Sequence, residues 1–130
     1  MSYKTQLTEN INIQYYENLI TPEELKSMYP STKRIQSFVV NTRKQISDIL
    51  NNDCLFSPKK LIFIVGPCSI HNVEEAKAYG MKLKALSKKV KDRILIIMRV
   101  YFEKPRTRCG WKGLINDPYL NETYNVNEGL

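Results

Sequence analysis

Two short apolar runs on either side of an amphipathic segment constrain the fold of this chain most strongly. The runs are Leu61–Val65 and Ile94–Met98, and both suit strands buried on two faces, as in a parallel sheet. Between them, Asn72 can cap a helix, and Glu75 stands where it would complete a capping box. A strand, a helix and a strand in this order predict a βαβ unit with parallel pairing and a right-handed crossover. The residues expected to form the helix's buried stripe are Ala76, Tyr79, Leu83, Leu86 and Val90.

The polar first part of the chain predicts an arm and then a short helix. Residues 1–20 are mixed in character, with at most a short strand around Ile11–Tyr16. Thr21 can cap the helix, Pro22 suits its first position, and Glu24 can close a capping box.

A second helix is predicted from Ser31 or Thr32 to the turn-forming residues that begin at Asn51. Its apolar residues recur at helical spacing and form one face: Ile35, Phe38, Val39, Ile46, Ile49 and Leu50. The pattern divides the chain into an arm with a helical extension, residues 1–57, and a βαβ unit with its following loop, residues 58–130. Another helix is expected after Asn125. Because two strands leave both sheet edges unpaired, we expect the unit to be the opening part of a larger α/β domain.

Composition restricts the setting of the protein. The chain has 130 residues, of which 42% are hydrophobic and 25% charged, as in an ordinary soluble domain. Its three cysteines, Cys54, Cys68 and Cys109, form no CxxC pair, and no signal peptide precedes them, so a reducing cytoplasm is expected. No apolar run approaches the roughly 20 residues that cross a bilayer, so no membrane association is expected.

The net charge of +7 fits either nucleic acid or small anionic substrates as ligands. Many of the lysines lie on or beside the helix between the two apolar runs, where a solvated face is the ordinary interpretation. Nucleic-acid binding is the weakest hypothesis, because no nucleic-acid motif accompanies the charge.

The segment Met98–Pro118, MRVYFEKPRTRCGWKGLINDP, concentrates the cations of the chain just after the second apolar run. It interleaves five basic residues with aromatic residues, glycine and proline: Arg99, Lys104, Arg106, Arg108 and Lys112. Parallel α/β folds bind ligands at the carboxyl ends of their strands, so the segment predicts a site for a multiply charged anion. Pro105 would orient Arg106 and Thr107 through its fixed φ. The ordinary alternative is a surface loop ion-paired through Glu103.

Cys68 follows the first strand and should therefore lie near Arg99. It could be a nucleophile, a metal ligand or a buried packing residue, and nearby cations would favour the thiolate. His71 is more typical of a surface or supporting role than of a ligand. Trp111 is interpreted as packing on the core rather than stacking beneath a cation, and Cys54 and Cys109 are interpreted as structural.

The sequence segments around Cys68 and the basic residues together resemble the type I family of 3-deoxy-D-arabino-heptulosonate 7-phosphate (DAHP) synthases. The resemblance rests on GPCSIH, residues 66–71, and on MRVYFEKPRT and GWKGLINDP within residues 98–118, and it covers the chain from about Glu17 onward. It implies a metal-dependent (β/α)8 barrel, incomplete in this chain, preceded by a helical extension. The implied reaction condenses phosphoenolpyruvate with erythrose 4-phosphate and water, as the first step of the shikimate pathway to the aromatic amino acids.

The resemblance also implies roles for particular residues. Cys68 corresponds to a ligand of a divalent ion (Mn, Fe, Co or Zn), and Arg99 and Lys104 correspond to contacts of phosphoenolpyruvate. The segment that would hold erythrose 4-phosphate is Lys104, Pro105, Arg106 and Thr107, and Lys104 is expected to be catalytic. A homodimer or homotetramer and feedback inhibition by an aromatic amino acid are also implied.

The chain departs from the family pattern in two ways. Arg108 and Cys109 replace the Thr-Val that commonly follows KPRT, which adds a cation near the site or on the solvent side. The family's remaining metal ligands, a histidine, a glutamate and an aspartate, lie on later strands. One cysteine cannot hold a catalytic ion, so we expect these 130 residues to be inactive alone. The alternative is a non-catalytic, truncated paralogue that associates with a full-length subunit.

Overall fold

The computed structural model describes residues 11–13, 15–51 and 60–130. It contains four helices and two strands within these ranges: α1 Pro22–Met28, α2 Lys33–Leu50, β1 Leu61–Val65, α3 Val73–Val90, β2 Ile94–Met98 and α4 Val126–Gly129.

The first two helices begin where their capping residues predict. The Glu24 N–H donates to Thr21 Oγ1 at 3.2 Å, and the Thr21 N–H donates to Glu24 Oε2 at 2.8 Å, which completes the capping box. Thr32 caps α2 by accepting the Ile35 N–H at 3.3 Å, and Asn51 ends that helix. The predicted helix after Asn125 is also confirmed, since the Asn125 side chain accepts the Glu128 N–H.

The predicted parallel pairing is confirmed. β1 and β2 form a two-stranded parallel sheet in the register Leu61↔Ile94 to Val65↔Met98, and α3 connects them and packs on β2. The described part of the chain is therefore a small α/β unit.

The expectation that both strands are buried on two faces is wrong for the described chain. Leu61 is 61% exposed and Ile64 is 69% exposed, while the residues of β2 are half-buried. A parallel strand is buried only when neighbouring strands and layers cover it, and here α3 is the helix that packs on the sheet. Ile70, 7% exposed, is the one hydrophobic residue in the described ranges that is buried.

The buried stripe of α3 is displaced from the predicted one. Ala76, Leu83 and Val90 are half-buried, but Tyr79 and Leu86 are exposed, and Gly80 and Ser87 occupy the covered face instead. Gly80 lies against β2, since a Cβ there would be 3.4 Å from Met98 Sδ. A small residue therefore faces the sheet where sequence spacing favoured a large one.

The capping box predicted for α3 is present in one half. The Asn72 side chain accepts the Glu75 N–H at 3.0 Å. The Glu75 carboxylate instead lies 3.6 Å from His71 Nε2.

The apolar face of α2 is largely exposed, with Phe38 at 69% and Leu50 at 71%, while Ile46 and Ile49 are half-buried. In the segment where a short N-terminal strand was expected, residues 11–13, 15 and 16 form none, and residue 14 lies outside the described ranges. The arm instead contacts the far end of the chain, because the Ile20 N–H donates to Asn127 Oδ1 at 2.8 Å. In the part of the chain that the structure describes, no helix is long and apolar enough to cross a membrane.

Candidate anion-binding site

The carboxyl ends of β1 and β2 bring two loops together. The Arg99 N–H extends the strand pairing by donating to the Val65 carbonyl at 2.7 Å, and the Ile70 N–H donates to the Tyr101 carbonyl at 2.6 Å. The loop after β1 is thereby fixed beside the basic loop, residues 99–118, as the two strand positions predict.

Cys68 lies next to two of the predicted cations. Lys104 Nζ is 3.2 Å from Cys68 Sγ, and Arg99 Nη2 donates to the Cys68 carbonyl at 3.4 Å. The Lys104 hydrogen bond and charge, followed by the charges of Arg99 and Arg106, lower the pKa of the Cys68 thiol. The thiol is exposed, so the interpretation of Cys68 as a buried packing residue is wrong, and those as a nucleophile or a metal ligand remain.

Tyr101 supports the side chain of Arg99. The guanidinium carbon lies 4.2 Å from the centre of the Tyr101 ring, which is a cation–π geometry. Arg99 Nε is buried and has no hydrogen-bond partner among the described residues. The cation is therefore oriented by a ring face and by the Cys68 carbonyl. Sequence reasoning assigned no role to Tyr101, although its aromatic ring two residues from Arg99 was a usable signal.

Two backbone hydrogen bonds shape the basic loop. The Lys104 N–H donates to the Lys112 carbonyl at 2.6 Å, and the Ile115 N–H donates to the Phe102 carbonyl at 3.2 Å. Gly113 lies between these bonds with φ +117, and a Cβ there would be 2.6 Å from the Phe102 carbonyl oxygen. Only glycine fits this backbone and this approach without rearrangement.

A second set of hydrogen bonds connects Arg106 to a buried acid. Arg106 Nε donates to the Trp111 carbonyl at 3.3 Å, and Trp111 Nε1 donates to the Asp117 carbonyl at 2.8 Å. Trp111 is half-buried, as expected of packing on the core, and the stacked cation is at Tyr101 instead. Asp117 is 4% exposed, and the sequence analysis gave it no role.

An open cleft of about 750 Å³ lies on this loop. Among the residues that line it are Lys104, Pro105, Arg106, Lys112, Glu103 and Asn116. Three of the predicted binding residues therefore share one cleft. Lys112, one of the five basic residues of the segment, adds a third cation that the resemblance had not assigned to a substrate. Arg99 and Cys68 adjoin the cleft through Lys104, whereas Thr107 is exposed and is not among the lining residues.

The ion-paired alternative for the loop is wrong. In the described ranges the ion pairs are Lys44–Asp48, His71–Glu75 and Lys77–Glu74, and none includes Glu103 or a cation of the basic loop. The loop cations thus remain available to an external anion.

The other predicted residues have simpler outcomes. The His71 side chain is 56% exposed, which agrees with a surface role. Cys109 and Arg108 are exposed, and the interpretation of Cys109 as structural stays a prediction. Cys54 lies outside the described residues. Within the described ranges, no three His, Cys, Asp or Glu side chains are grouped to hold a metal ion.

Fold and site together define a class of protein: a parallel α/β unit that places arginine, lysine and a thiol at the carboxyl ends of its strands, where such folds bind ligands. The model of the DAHP synthetase I family matches residues 51–130, and the chain belongs to this family. The resemblance inferred from the sequence is therefore confirmed.

Curated relatives extend the match toward the N-terminus. The Trp-sensitive phospho-2-dehydro-3-deoxyheptonate aldolase of Escherichia coli (strain K12) is 45% identical over 123 residues, which cover 95% of this chain and 34% of that protein. The Tyr-sensitive aldolase of the same strain is 43% identical over 121 residues, covering 93% and 33%. The chain thus spans about a third of the length of these relatives.

A solved structure agrees with the sequence matches. The phospho-2-dehydro-3-deoxyheptonate aldolase from Francisella tularensis SCHU S4 superposes with a TM-score of 0.82 at 46% identity, covering 91% of this chain and 33% of that one.

Proposed function

We propose that this chain supplies the first strand–helix–strand unit of a (β/α)8 barrel that makes DAHP. The reaction joins phosphoenolpyruvate to erythrose 4-phosphate with water and releases phosphate, which begins the shikimate pathway to chorismate and the aromatic amino acids. Residues 1–57 would form the arm and helical extension, and residues 58–130 the first part of the barrel. Family membership and the parallel β1–α3–β2 unit support this assignment.

One observation carries the proposal: Lys104 contacts the Cys68 thiol and also lines the cleft that contains Arg106. A cation in this place can contact both a metal-bound reactant and a phosphorylated one. Two phosphorylated substrates also explain why no carboxylate of the described chain pairs with the loop cations.

The residue roles follow from this placement. Arg99, oriented by Tyr101, would hold a carboxylate or phosphate of phosphoenolpyruvate together with Lys104. Erythrose 4-phosphate would bind along Lys104, Pro105, Arg106 and Thr107. Attack of the enol carbon on the aldehyde places negative charge on the aldehyde oxygen, and the Lys104 ammonium is suited to stabilise that charge, so we assign it the catalytic role.

Cys68 suits one position of a metal site. Its exposed thiol, with a pKa lowered chiefly by Lys104, has the donor chemistry that Mn, Fe, Co or Zn can use. A bound divalent ion would act as a Lewis acid on the aldehyde. Within the described residues, no group of three possible metal ligands includes Cys68. We therefore propose that further ligands come from later strands and that residues 1–130 alone are inactive.

The assembled protein would be a cytoplasmic homodimer or homotetramer, without nucleic-acid or membrane partners. Inhibition by an aromatic amino acid is proposed because relatives carry the names Trp-sensitive and Tyr-sensitive.

A second candidate, a non-catalytic paralogue that associates with a full-length subunit, is favoured by one observation. The apolar face of α2, including Phe38, is exposed and would suit burial against a longer partner. This candidate predicts that the chain forms a stable complex with a longer family member. It also predicts that turnover by the complex does not depend on Lys104 of this chain.

A chimaera tests the proposed function directly. Residues 1–130 would replace the matching first third of the Francisella tularensis aldolase, and phosphate release would be measured with both substrates and a divalent ion. We expect turnover that requires both substrates. Lys104→Met and Cys68→Ser should each reduce it at least about a hundredfold, the scale of losing one electrostatic contact to the transition state.

Lys88→Met is the matched control, because it removes the same charge from the exposed surface of α3. It should leave turnover within about twofold of the unaltered chimaera, as surface substitutions usually do. A folded chimaera that is inactive, or that tolerates Lys104→Met, would contradict the proposal.

A further inference from the structure

A buried acid lies beneath the basic cleft, and the proposed reaction gives it no role. Asp117 is the one polar side chain in the described ranges that is buried. Its carboxylate accepts the Asn121 N–H at 3.4 Å and the Glu122 N–H at 3.3 Å. Successive backbone amides that converge on one anion form a nest, so the carboxylate is an internal anion that closes the turn after Pro118.

The backbone of this turn is strained. Leu120, Glu122 and Tyr124 have φ values of 56°, 60° and 52°, in the left-handed region that such side chains seldom adopt. A conformation of this kind persists where the surroundings hold it in place. Here the bonds to the Asp117 carboxylate hold the turn, and they fix the position of Asp117 in return.

Further hydrogen bonds connect Asp117 to the cleft. Its carbonyl accepts the indole N–H of Trp111 at 2.8 Å, and its own N–H donates to the Gly113 carbonyl at 3.0 Å. The Trp111 carbonyl in turn accepts Arg106 Nε at 3.3 Å. The guanidinium of Arg106 is therefore held through two residues that line no part of the cleft.

We infer that Asp117 and Trp111 are positioning residues that orient Arg106 toward the phosphate of a ligand in this cleft. The inference rests on the function proposed above, because it takes the ligand to be phosphorylated. With Nε bound to Trp111, the two terminal nitrogens stay free of hydrogen bonds within the described chain and can pair with two phosphate oxygens. An arginine ordered before binding loses less side-chain freedom when the ligand arrives.

The first test needs no ligand. Trp111 is the single tryptophan, so its indole N–H gives one NMR signal, and the Nε–H of Arg106 is assignable by comparison with Arg106→Met. In the 130-residue chain we expect Asp117→Ala to speed hydrogen exchange at both groups at least about tenfold, while the amides of α3 keep their rates. Exchange that is unchanged at Arg106, or that rises equally in α3, would overturn the positioning role.

The second test measures ligand binding. Inorganic phosphate and phosphoenolpyruvate would be titrated separately, with Trp111 fluorescence as the signal and NMR shifts for Trp111→Phe. Asp117→Ala and Trp111→Phe should each weaken phosphate binding about three- to tenfold, as expected for loss of one supporting hydrogen bond. Asp117→Asn, which keeps a side-chain acceptor, should recover part of the loss. Thr123→Ala in the same turn is the control and should bind normally, since its hydroxyl bonds only Asn121.

A double-variant cycle gives the decisive result. If Asp117 acts through Arg106, Asp117→Ala should weaken binding no further once Arg106→Met is present, whereas an independent role gives additive losses and overturns the inference. If the unaltered chain binds neither phosphate nor phosphoenolpyruvate, the proposed ligand is wrong. The exchange measurement on Arg106 still decides the positioning role in that case.

Discussion

The basic loop and helix α2 differ in how far the described chain provides contacts for their side chains. In the loop, Asp117 is buried with two amide donors, and Trp111 and Arg106 each have a backbone partner. In α2, most of the apolar face is exposed, with Phe38 and Leu50 at 69% and 71%. The loop is organised by polar contacts within a short stretch of sequence. The apolar face of the helix is only loosely covered, since Ile35 and Phe38 line an open cavity that they share with Met98 of β2.

This difference separates two kinds of folding information. Hydrogen bonds between near neighbours, such as Trp111 with Asp117, can form as soon as the local turn forms. Burial of an apolar face instead requires an opposing surface, which can be distant in sequence. This chain spans about a third of the length of its relatives. A binding loop can therefore be preorganised in a segment whose core is incomplete.

The largest effect should come from Gly113→Ala, which should disrupt the backbone of the basic loop. The new Cβ would lie 2.6 Å from the Phe102 carbonyl oxygen, on a backbone with φ +117, so we expect a loss of about 3 kcal/mol in the free energy of unfolding. Urea unfolding followed by Trp111 fluorescence would measure it. Gly110→Ala is the control: φ there is also positive, at +132, but the nearest atoms are 3.6 Å away on the flexible Arg106 side chain. Equal losses in the two variants would show that steric contact at Gly113 is unimportant.

A smaller effect should separate Ile70, the one buried hydrophobic residue of the described ranges, from the exposed apolar residues. Ile70→Ala removes a side chain that is 7% exposed, in a partly open surrounding, and should cost about 2 kcal/mol in the free energy of unfolding. Phe38→Ala removes a larger side chain that is 69% exposed and should cost less than about 0.5 kcal/mol in the same urea titration. If Phe38→Ala were the more costly change, the face of α2 would be covered in solution and the comparison would fail.

The elements of this fold were predictable because their signals are local. Thr21, Thr32 and Asn72 begin helices where their side chains can accept an N–H, and two apolar runs of strand length pair in parallel. Burial was not predictable from periodicity. Tyr79 and Leu86 have the right spacing for a covered stripe, but the helix is rotated so that Gly80 faces Met98.

The site was predictable in outline and not in its supports. Cations placed after β2 and a cysteine placed after β1 had to meet, because parallel strands end at the same edge of the sheet. Asp117 gave no such signal, since an acid before proline is typical of any turn and its burial depends on the left-handed residues that follow it. Spacing likewise could not show that Lys112 returns to the cleft through its backbone bond to Lys104.

Thiol reactivity should distinguish Cys68, which contacts Lys104, from the exposed Cys109. In the metal-free chain, the lowered pKa of Cys68 means that its thiolate, and thus its alkylation by iodoacetamide, should rise at lower pH than for an ordinary cysteine. Lys104→Met removes the largest cause of the lowered Cys68 pKa, so the thiolate should form at higher pH. The alkylation should therefore slow several-fold near pH 7. Peptide mass spectrometry would follow Cys68 and, as an exposed reference in the same molecule, Cys109. An equal change at both cysteines would mean that Lys104 does not act on the Cys68 thiol through contact.

The smallest effect should come from α1, which, like the loop, is organised by polar neighbours. Hydrogen bonds from Thr21 lower the pKa of Glu24 below its ordinary value of 4.5. The carboxylate's stabilisation is therefore complete above the unfolded-state pKa and is lost as the pH falls through the lowered folded-state pKa. Thr21→Ala should remove about 1 kcal/mol of helix stability at pH 7, as loss of an N-cap usually does, and Thr32→Ala should leave α1 unchanged.

Glu24→Gln keeps an acceptor for the Thr21 N–H but removes the titrating group. Carbon chemical shifts of residues 22–28 would report helix content between pH 7 and pH 2. In the unaltered chain the helix content should fall on acidification, and in Glu24→Gln it should be nearly flat. A similar acid transition in both would assign the pH dependence to another group and would leave α1 without the local polar control that the loop shows.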